Sequence, residues 1–330
     1  MDHHTFRSPD NVARRGPAAD RPPPETVEDG PRHAQDGHER GRSVMQSAEV
    51  STQTVRAEDG ATVHVRFHRR PDDPSAPVLV CMPAMGTRAV SYTPLAESLV
   101  QAGFQVVLGE LRGQGTSSVQ VRRGVRYGYH EMVTYDYPAL FREVAAAFPL
   151  APRHLLGHSL GGQLGALYLS QEPHMAAGAI LVGAPSCHWR GWPFPQGLGL
   201  LAGFQFAAAL ASVYGYFPGR RLGVLGNDSA QLLRDMAAQV RTGRYDVPSS
   251  PVDFEPWLAG LDLPVLAVAI EGDPMAPPGG VRGLCGKLTS ARVTYWELAL
   301  GEGTVGGPHY RWIRDNAALV ERVRAFVDRV

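Results

Sequence analysis

The feature that most constrains this chain is the run Gly157-His158-Ser159-Leu160-Gly161-Gly162. It lies between a short apolar run, His154-Leu155-Leu156, and a helix-like stretch from Gln163 to Gln171. Gly-x-Ser-x-Gly at a strand-to-helix junction is the nucleophile-elbow pattern. A serine at the tip of such a turn lifts its hydroxyl above the sheet. The turn strains the serine backbone and leaves no room for neighbouring side chains, so glycines flank it. The helix that begins there aims its amide dipoles at charge developing on a substrate. In a chain with 37 glycines the bare pattern says little; its setting and its partners give it weight.

The setting is a strand–helix rhythm. Residues 51–57 and 62–68 alternate apolar and polar around Asp59-Gly60, which predicts a β-hairpin with an open face. Residues 78–82 are a short apolar run, the signature of a strand buried on both faces. A helix over 92–102, a strand over 104–108, a turn-rich loop to Gly128 and an amphipathic helix over 131–148 follow. After the elbow come the helix to Gln171 and a strand over 179–182. Such alternation implies a parallel sheet with helices on both faces. It stops at Gly183 and resumes at Pro264, with a strand over 264–270, a helix near 280–288, a strand over 292–298 and a final helix over 312–330.

The stretch between, about 184–262, reads as a lid inserted into one α/β domain that runs over 45–330. Within it, residues 198–217 are twenty residues without a charge, long enough to span a bilayer. They also carry Gln205, Ser212 and several glycines, and they interrupt a soluble fold. The expectation is an apolar lid helix over a substrate pocket, with interfacial membrane contact as the alternative and no stable membrane insertion.

Formal net charge is zero, so nothing in the composition points to nucleic acid or to an anionic membrane, and 44% hydrophobic residues suffice for a sizeable core. Cys81, Cys187 and Cys285 are spaced for neither a disulfide framework nor a zinc site. The expectation is a reduced, cytoplasmic protein. Residues 1–44 contain no Leu, Ile, Trp or Tyr. Such a segment cannot bury enough apolar surface to offset chain entropy, so disorder is expected, with translation starting at Met45 as one explanation of the leader.

A nucleophilic serine needs a base, and the base needs an orienting acid. On a parallel sheet of this kind the chain order is serine, acid, histidine, each in a loop just after a strand. Asp273 follows the strand 264–270 in Glu271-Gly272-Asp273-Pro274. His309 follows the strand 292–298 in Gly306-Gly307-Pro308-His309-Tyr310, directly before the last helix, and is the only histidine beyond that strand. The bland alternative for Asp273 is a turn residue or helix cap, and Glu271 is the rival acid at the strand end; the catalytic reading of Asp273 is preferred. His158 is read as a packing residue that points away from Ser159. The oxyanion needs two backbone donors. Leu160 supplies one, and the loop Pro83-Ala84-Met85-Gly86 the other, through Met85 or else Ala84. Trp189, Trp192 and Phe204 of the lid are the candidate substrate-binding side chains.

These residues resemble the α/β-hydrolase superfamily from about residue 60 to 330, and look most like a branch of bacterial serine hydrolases related to the serine aminopeptidase and monoacylglycerol-lipase group. The resemblance is carried by 157–163, by the lid segments 189–193 and 214–223, and by Leu111-Arg112-Gly113-Gln114-Gly115-Thr116-Ser117. The last is similar to an Asp-x-Arg-Gly-x-Gly-x-Ser loop, with Glu110 in the Asp position. Two other positions depart from the pattern: Pro83-Ala84 stands where many relatives have His-Gly, and Pro308-His309-Tyr310 where the branch has Gly-His-Phe. The resemblance implies a Ser–His–Asp hydrolase without metal or cofactor and is silent on substrate. The expected activity is cleavage of a carboxylic ester or thioester with a hydrophobic acyl or aromatic part, with a small-molecule acyl substrate as the partner. The alternatives are acyl transfer by the same triad and a non-catalytic binding protein with a vestigial site.

Overall fold

The computed structural model describes residues 49–224, 226–301 and 306–330; the leader and the Met45 start lie outside them. β1 (Glu49–Arg56) and β2 (Thr62–Arg69) form the expected hairpin, with Glu49 opposite Arg69 and Arg56 opposite Thr62. Its turn needs a left-handed residue, and Gly60 takes φ 88°. The strands β3 (Val78–Met82), β4 (Gln105–Leu108), β5 (Arg153–His158) and β6 (Gly178–Val182) follow. A small antiparallel pair, β7 (Tyr216–Pro218) and β8 (Asn227–Ser229), lies in the inserted segment, and β9 (Pro264–Ile270) and β10 (Arg292–Leu298) complete the set. The described residues form an eight-stranded sheet in the order β1-β2-β4-β3-β5-β6-β9-β10. β2 runs antiparallel to β4; from β4 to β10 every pairing is parallel.

Helices α1 (Thr93–Gln101), α2 (Tyr129–Glu131), α3 (Tyr137–Ala147) and α4 (Leu160–Gln171) precede the inserted segment. That segment holds α5 (Gln196–Tyr214), α6 (Gly219–Leu222), α7 (Ala230–Thr242) and α8 (Glu255–Gly260). The chain then adds α9 (Pro278–Cys285), α10 (Pro308–Arg311) and α11 (Ala317–Val327). β3 shows why the sheet needs helices on both faces. Its five residues are all buried. Val78, Val80 and Met82 pack into one cluster with α3, α4 and α8, while Leu79 and Cys81 pack into another with α1 and α11. A strand covered on both sides has no polar face to show, hence the unbroken apolar run.

Two elements differ from the sequence expectation. The helix expected over 131–148 is broken: α2 passes into a widened π-type turn, Met132–Asp136, before α3 begins. Pro138 has no amide to offer and its ring crowds the carbonyl four residues back. Asp136 is also held by Arg112, whose Nη2 lies 2.6 Å from its carboxylate. The final helix is split: α10 starts at Pro308, and α11 only after Asn316, whose side-chain amide donates to the Ile313 carbonyl. His309 therefore sits inside a short helix rather than in a loop, because proline at the first helical position fixes a helical φ there.

Asp228 in β8 is 1% exposed, and neither of its carboxylate oxygens has a hydrogen-bond partner among the described residues. Burial pushes its pKa up to about 6. A carboxyl whose pKa rises on folding holds a proton more tightly folded than unfolded, so the ionisation cost of its burial is absent below about pH 4, builds up between about pH 4 and 6, and is fully present above. Asp228→Asn should accordingly stabilise the protein by roughly 2–3 kcal/mol at about pH 8 and leave it unchanged near pH 4. Urea unfolding of both proteins at the two pH values measures this; an equal gain at both would assign the effect to packing.

Candidate active site

β5 ends at His158, α4 begins at Leu160, and Ser159 joins them at φ 52° and ψ −119°. That conformation is costly for a residue with a Cβ and persists only where the surroundings over-determine it. They do so here. Ser159 donates its amide to the Val182 carbonyl at 3.0 Å, and its own carbonyl accepts from Gly162 and Gln163, each at 3.0 Å. The glycines are required by close approach: a Cβ on Gly157 would lie 2.4 Å from Gly162 Cα, and one on Gly161 would lie 2.5 Å from the Pro83 carbonyl oxygen. The first turn of α4 is thus pressed against the end of β3. Ser159 itself is only half-buried.

Asp273 and His309 meet from the two loops the sequence indicated. Asp273 Oδ2 lies 2.6 Å from His309 Nδ1, with both residues buried. The other carboxylate oxygen, Oδ1, accepts from the amides of Met275 and Ala276 at 2.8 and 3.2 Å, which fixes the carboxylate plane. The rival acid Glu271 is exposed. Gly183, which follows β6 as Ser159 follows β5, ties the pair to the elbow: a Cβ there would sit 3.5 Å from His309 Cε1 and 3.6 Å from Asp273 Oδ2. His309 Nε2 is buried, and neither it nor Ser159 Oγ has a hydrogen-bond partner among the described residues. Catalytic hydrogen bonds are commonly long or unformed in the absence of substrate.

Two candidate donors remain free. The amides of Leu160 and Met85 find no acceptor among the described residues, whereas the Ala84 amide donates to Tyr92 Oη at 3.0 Å. Of the two residues considered in the β3 loop, Ala84 is therefore occupied and Met85 is available.

His158 packs beneath this arrangement. It is fully buried, its Nδ1 lies 2.6 Å from Tyr92 Oη, and its ring is 4.5 Å from that of His309. Burial, and then the neighbouring His309 ring, hold its pKa well below the ordinary imidazole value. Tyr92 bridges two loops, since burial raises its own pKa and keeps its hydroxyl protonated to donate to His158 while it accepts from Ala84. Trp312 Nε1 donates to the His309 carbonyl at 2.8 Å and so anchors α10. Sequence reasoning did not single out Tyr92, Gly183 or Trp312. Gly183 left a trace, a glycine at a strand end; the other two left none. Cys187 lies nearby at φ 51°, but burial pushes its thiol up to about 12, so it is no thiolate at neutral pH.

The candidate substrate-binding side chains of the inserted segment take different positions. Trp192 is buried, donates its indole N–H to the Pro274 carbonyl at 3.0 Å and packs on Gly280, bracing the Asp273 loop. Trp189 is half-buried under the Arg190 guanidinium at 5.0 Å. Phe204, on α5, is half-buried where three apolar clusters meet. Among the described residues no cluster of His, Cys, Asp or Glu is suited to a metal ion.

A mostly parallel sheet, an elbow serine after its fifth strand and a buried Asp–His pair beyond later strands define a class of α/β protein. The chain belongs to the α/β-hydrolase fold family, whose sequence profile matches residues 77–301. It is 26% identical over 300 residues to a homoserine O-acetyltransferase of Deinococcus radiodurans, covering 80% of this chain and 86% of that one. It is 30% identical over 126 residues to lysophospholipase L2 of Escherichia coli K12, a match that spans 37% of this chain and 36% of that protein. Among solved structures, a Pyrococcus furiosus esterase superposes with a TM-score of 0.56 at 15% identity, over 86% of this chain and 91% of that one. The thioesterase domain from the curacin biosynthetic pathway does so with 0.53 at 17% identity, over 83% of this chain and 99% of that one. At these identities the structural likeness speaks for the fold alone.

Proposed function

We propose that the protein hydrolyses a carboxylic ester or thioester with a hydrophobic acyl or aromatic part, through an acyl-enzyme on Ser159. The observation that carries this reading is the buried Asp273–His309 hydrogen bond beside a strained, half-exposed serine. In the proposed sequence, Ser159 Oγ attacks the substrate carbonyl as its proton passes to His309 Nε2. Asp273 keeps the imidazole in the tautomer that presents a bare Nε2 and stabilises the imidazolium that forms. The Leu160 and Met85 amides hold the oxyanion. His309 returns the proton to the departing alkoxide or thiolate. It then takes a proton from water as the water oxygen attacks the acyl carbon, and returns that proton to Ser159 Oγ as the Oγ–acyl bond breaks and the carboxylic acid leaves. The inserted segment serves as the lid, and its apolar α5 supports a hydrophobic acyl group.

Acyl transfer is the second reading, supported by the acetyltransferase relative that aligns with four-fifths of the chain. One experiment addresses both. The purified protein is treated with an active-site fluorophosphonate, the adduct is located by peptide mass spectrometry, and p-nitrophenyl esters of graded length are run with and without an added alcohol acceptor such as homoserine. Stoichiometric labelling of Ser159 with turnover indifferent to acceptor is the expected result. Turnover that climbs with acceptor and yields an O-acyl product would move the reading to transfer. A folded protein that takes no label would overturn both.

A further inference from the structure

We propose that the outward face of α5 is a docking surface for an anionic phospholipid bilayer, with the helix lying among the headgroups rather than crossing the membrane. The proposal is independent of the reaction assigned to Ser159.

A surface helix normally turns a polar face to water. α5 does the reverse. Leu198, Ala202, Phe206, Ala209 and Val213 recur at steps of four, four, three and four, which places them on one side of the helix, and all five are exposed. Phe206 is 70% and Val213 77% exposed, and Phe194, just before the helix, is 85% exposed. No charge interrupts the nineteen residues of α5. An apolar strip of this length is out of place on a freely solvated protein and marks an interaction site.

Charge says what covers it. Between Glu172 and Asp228 the chain has no acidic residue, nor has it one between Glu110 and Glu131. Three arginines of these stretches, Arg123, Arg220 and Arg221, and two from α7, Arg234 and Arg241, lie along the helix or just past its C-terminal end. Arg241 donates to Gln205 Oε1 at 3.2 Å, Arg234 to Ser212 Oγ at 3.4 Å, Arg123 to the Val213 carbonyl at 3.4 Å and Arg221 to Tyr214 Oη at 3.5 Å. Arg220 is exposed beside Arg221. None of these five is in an ion pair among the described residues. An uncharged apolar strip edged by unpaired arginines fits a surface that is apolar within and negative at its rim, which is the headgroup boundary of an anionic bilayer. A second copy of the chain fits poorly, because a two-fold contact through this face would set arginine against arginine with no acid to receive it.

A membrane span does not fit either. The inner side of α5 is packed: Ala208 and Ala211 lie against Phe217, Ala230, Leu233 and Ala237, and Gln205 donates to the Ala237 carbonyl at 2.8 Å. Insertion would strip that packing and carry the polar α7 surface toward hydrocarbon; lying flat keeps it.

The test is flotation with large unilamellar vesicles of phosphatidylcholine, alone or with about 30% phosphatidylglycerol. The wild-type chain is compared with a Phe206→Asp, Val213→Asp double variant and an Arg220→Ala, Arg221→Ala double variant. Thermal unfolding verifies that each variant is folded, and sedimentation velocity without lipid reports self-association. The wild type should float with the anionic vesicles, at least roughly tenfold more weakly with phosphatidylcholine alone and at about 0.5 M salt. Either variant should lose at least roughly tenfold in affinity. A folded wild type that floats with neither vesicle overturns the proposal. So does a dimer that the Phe206→Asp, Val213→Asp variant dissociates, which would give the face to a second copy.

Discussion

Ser159→Ala should lower kcat/KM for a p-nitrophenyl ester by roughly 10⁴-fold or more, with thermal unfolding unchanged. The size of the loss follows from the chemistry, because without the hydroxyl no acyl-enzyme forms and only binding and the oxyanion donors remain to assist water. The stability expectation follows from the structure. Ser159 Oγ is bonded to nothing among the described residues, and alanine keeps the Cβ, so the positive-φ strain neither grows nor is relieved. Because groups that act as one unit are grossly non-additive, a Ser159→Ala, His309→Ala double variant should be little worse than Ser159→Ala alone. Turnover that survives Ser159→Ala would put the nucleophile elsewhere and remove the basis of the hydrolase reading.

The second large effect is structural. Gly161→Ala should destabilise the protein by about 3 kcal/mol and cost at least roughly 10² in kcat/KM. The added methyl would lie 2.5 Å from the Pro83 carbonyl oxygen and 2.6 Å from that of Met82. Backbone cannot swing aside as a flexible side chain can, so the β3 loop and the first turn of α4 must separate. Those two segments carry the Met85 and Leu160 amides, so the separation falls on the proposed oxyanion site. Chemical denaturation and ester kinetics measure the two effects together. Gly60→Ala provides the contrast, since its Cβ would meet nothing within 4 Å and only its φ of 88° is strained; it should lose stability without losing kcat/KM. A Gly161→Ala variant that keeps both properties would show that the close approach is not required.

The parts of the protein that were legible in advance are those set by local pattern. The run 78–82 became β3 and 264–270 became β9, residue for residue, because a strand buried on both faces must be apolar throughout. Asp273 and His309 were legible because a parallel sheet gathers the loops after its strands at one edge, so chain order alone nominates what meets there. The misreadings came where one residue outweighs a pattern. The helix over 131–148 kept its apolar spacing but yielded to Pro138 and to the Arg112–Asp136 pair, and the last helix yielded to Asn316.

The sequence by itself determined the elbow and nominated Asp273 and His309 as a pair, since each depends on near neighbours or on a position just after a strand. Only the tertiary structure decided that Ala84 spends its amide on Tyr92 while Met85 does not, that Trp192 braces the Asp273 loop through Pro274, and that the uncharged helix α5 turns its apolar strip outward. Each of these depends on which partner arrives from a distant part of the chain, and an amide or an apolar face carries no mark in the sequence of what will be placed against it.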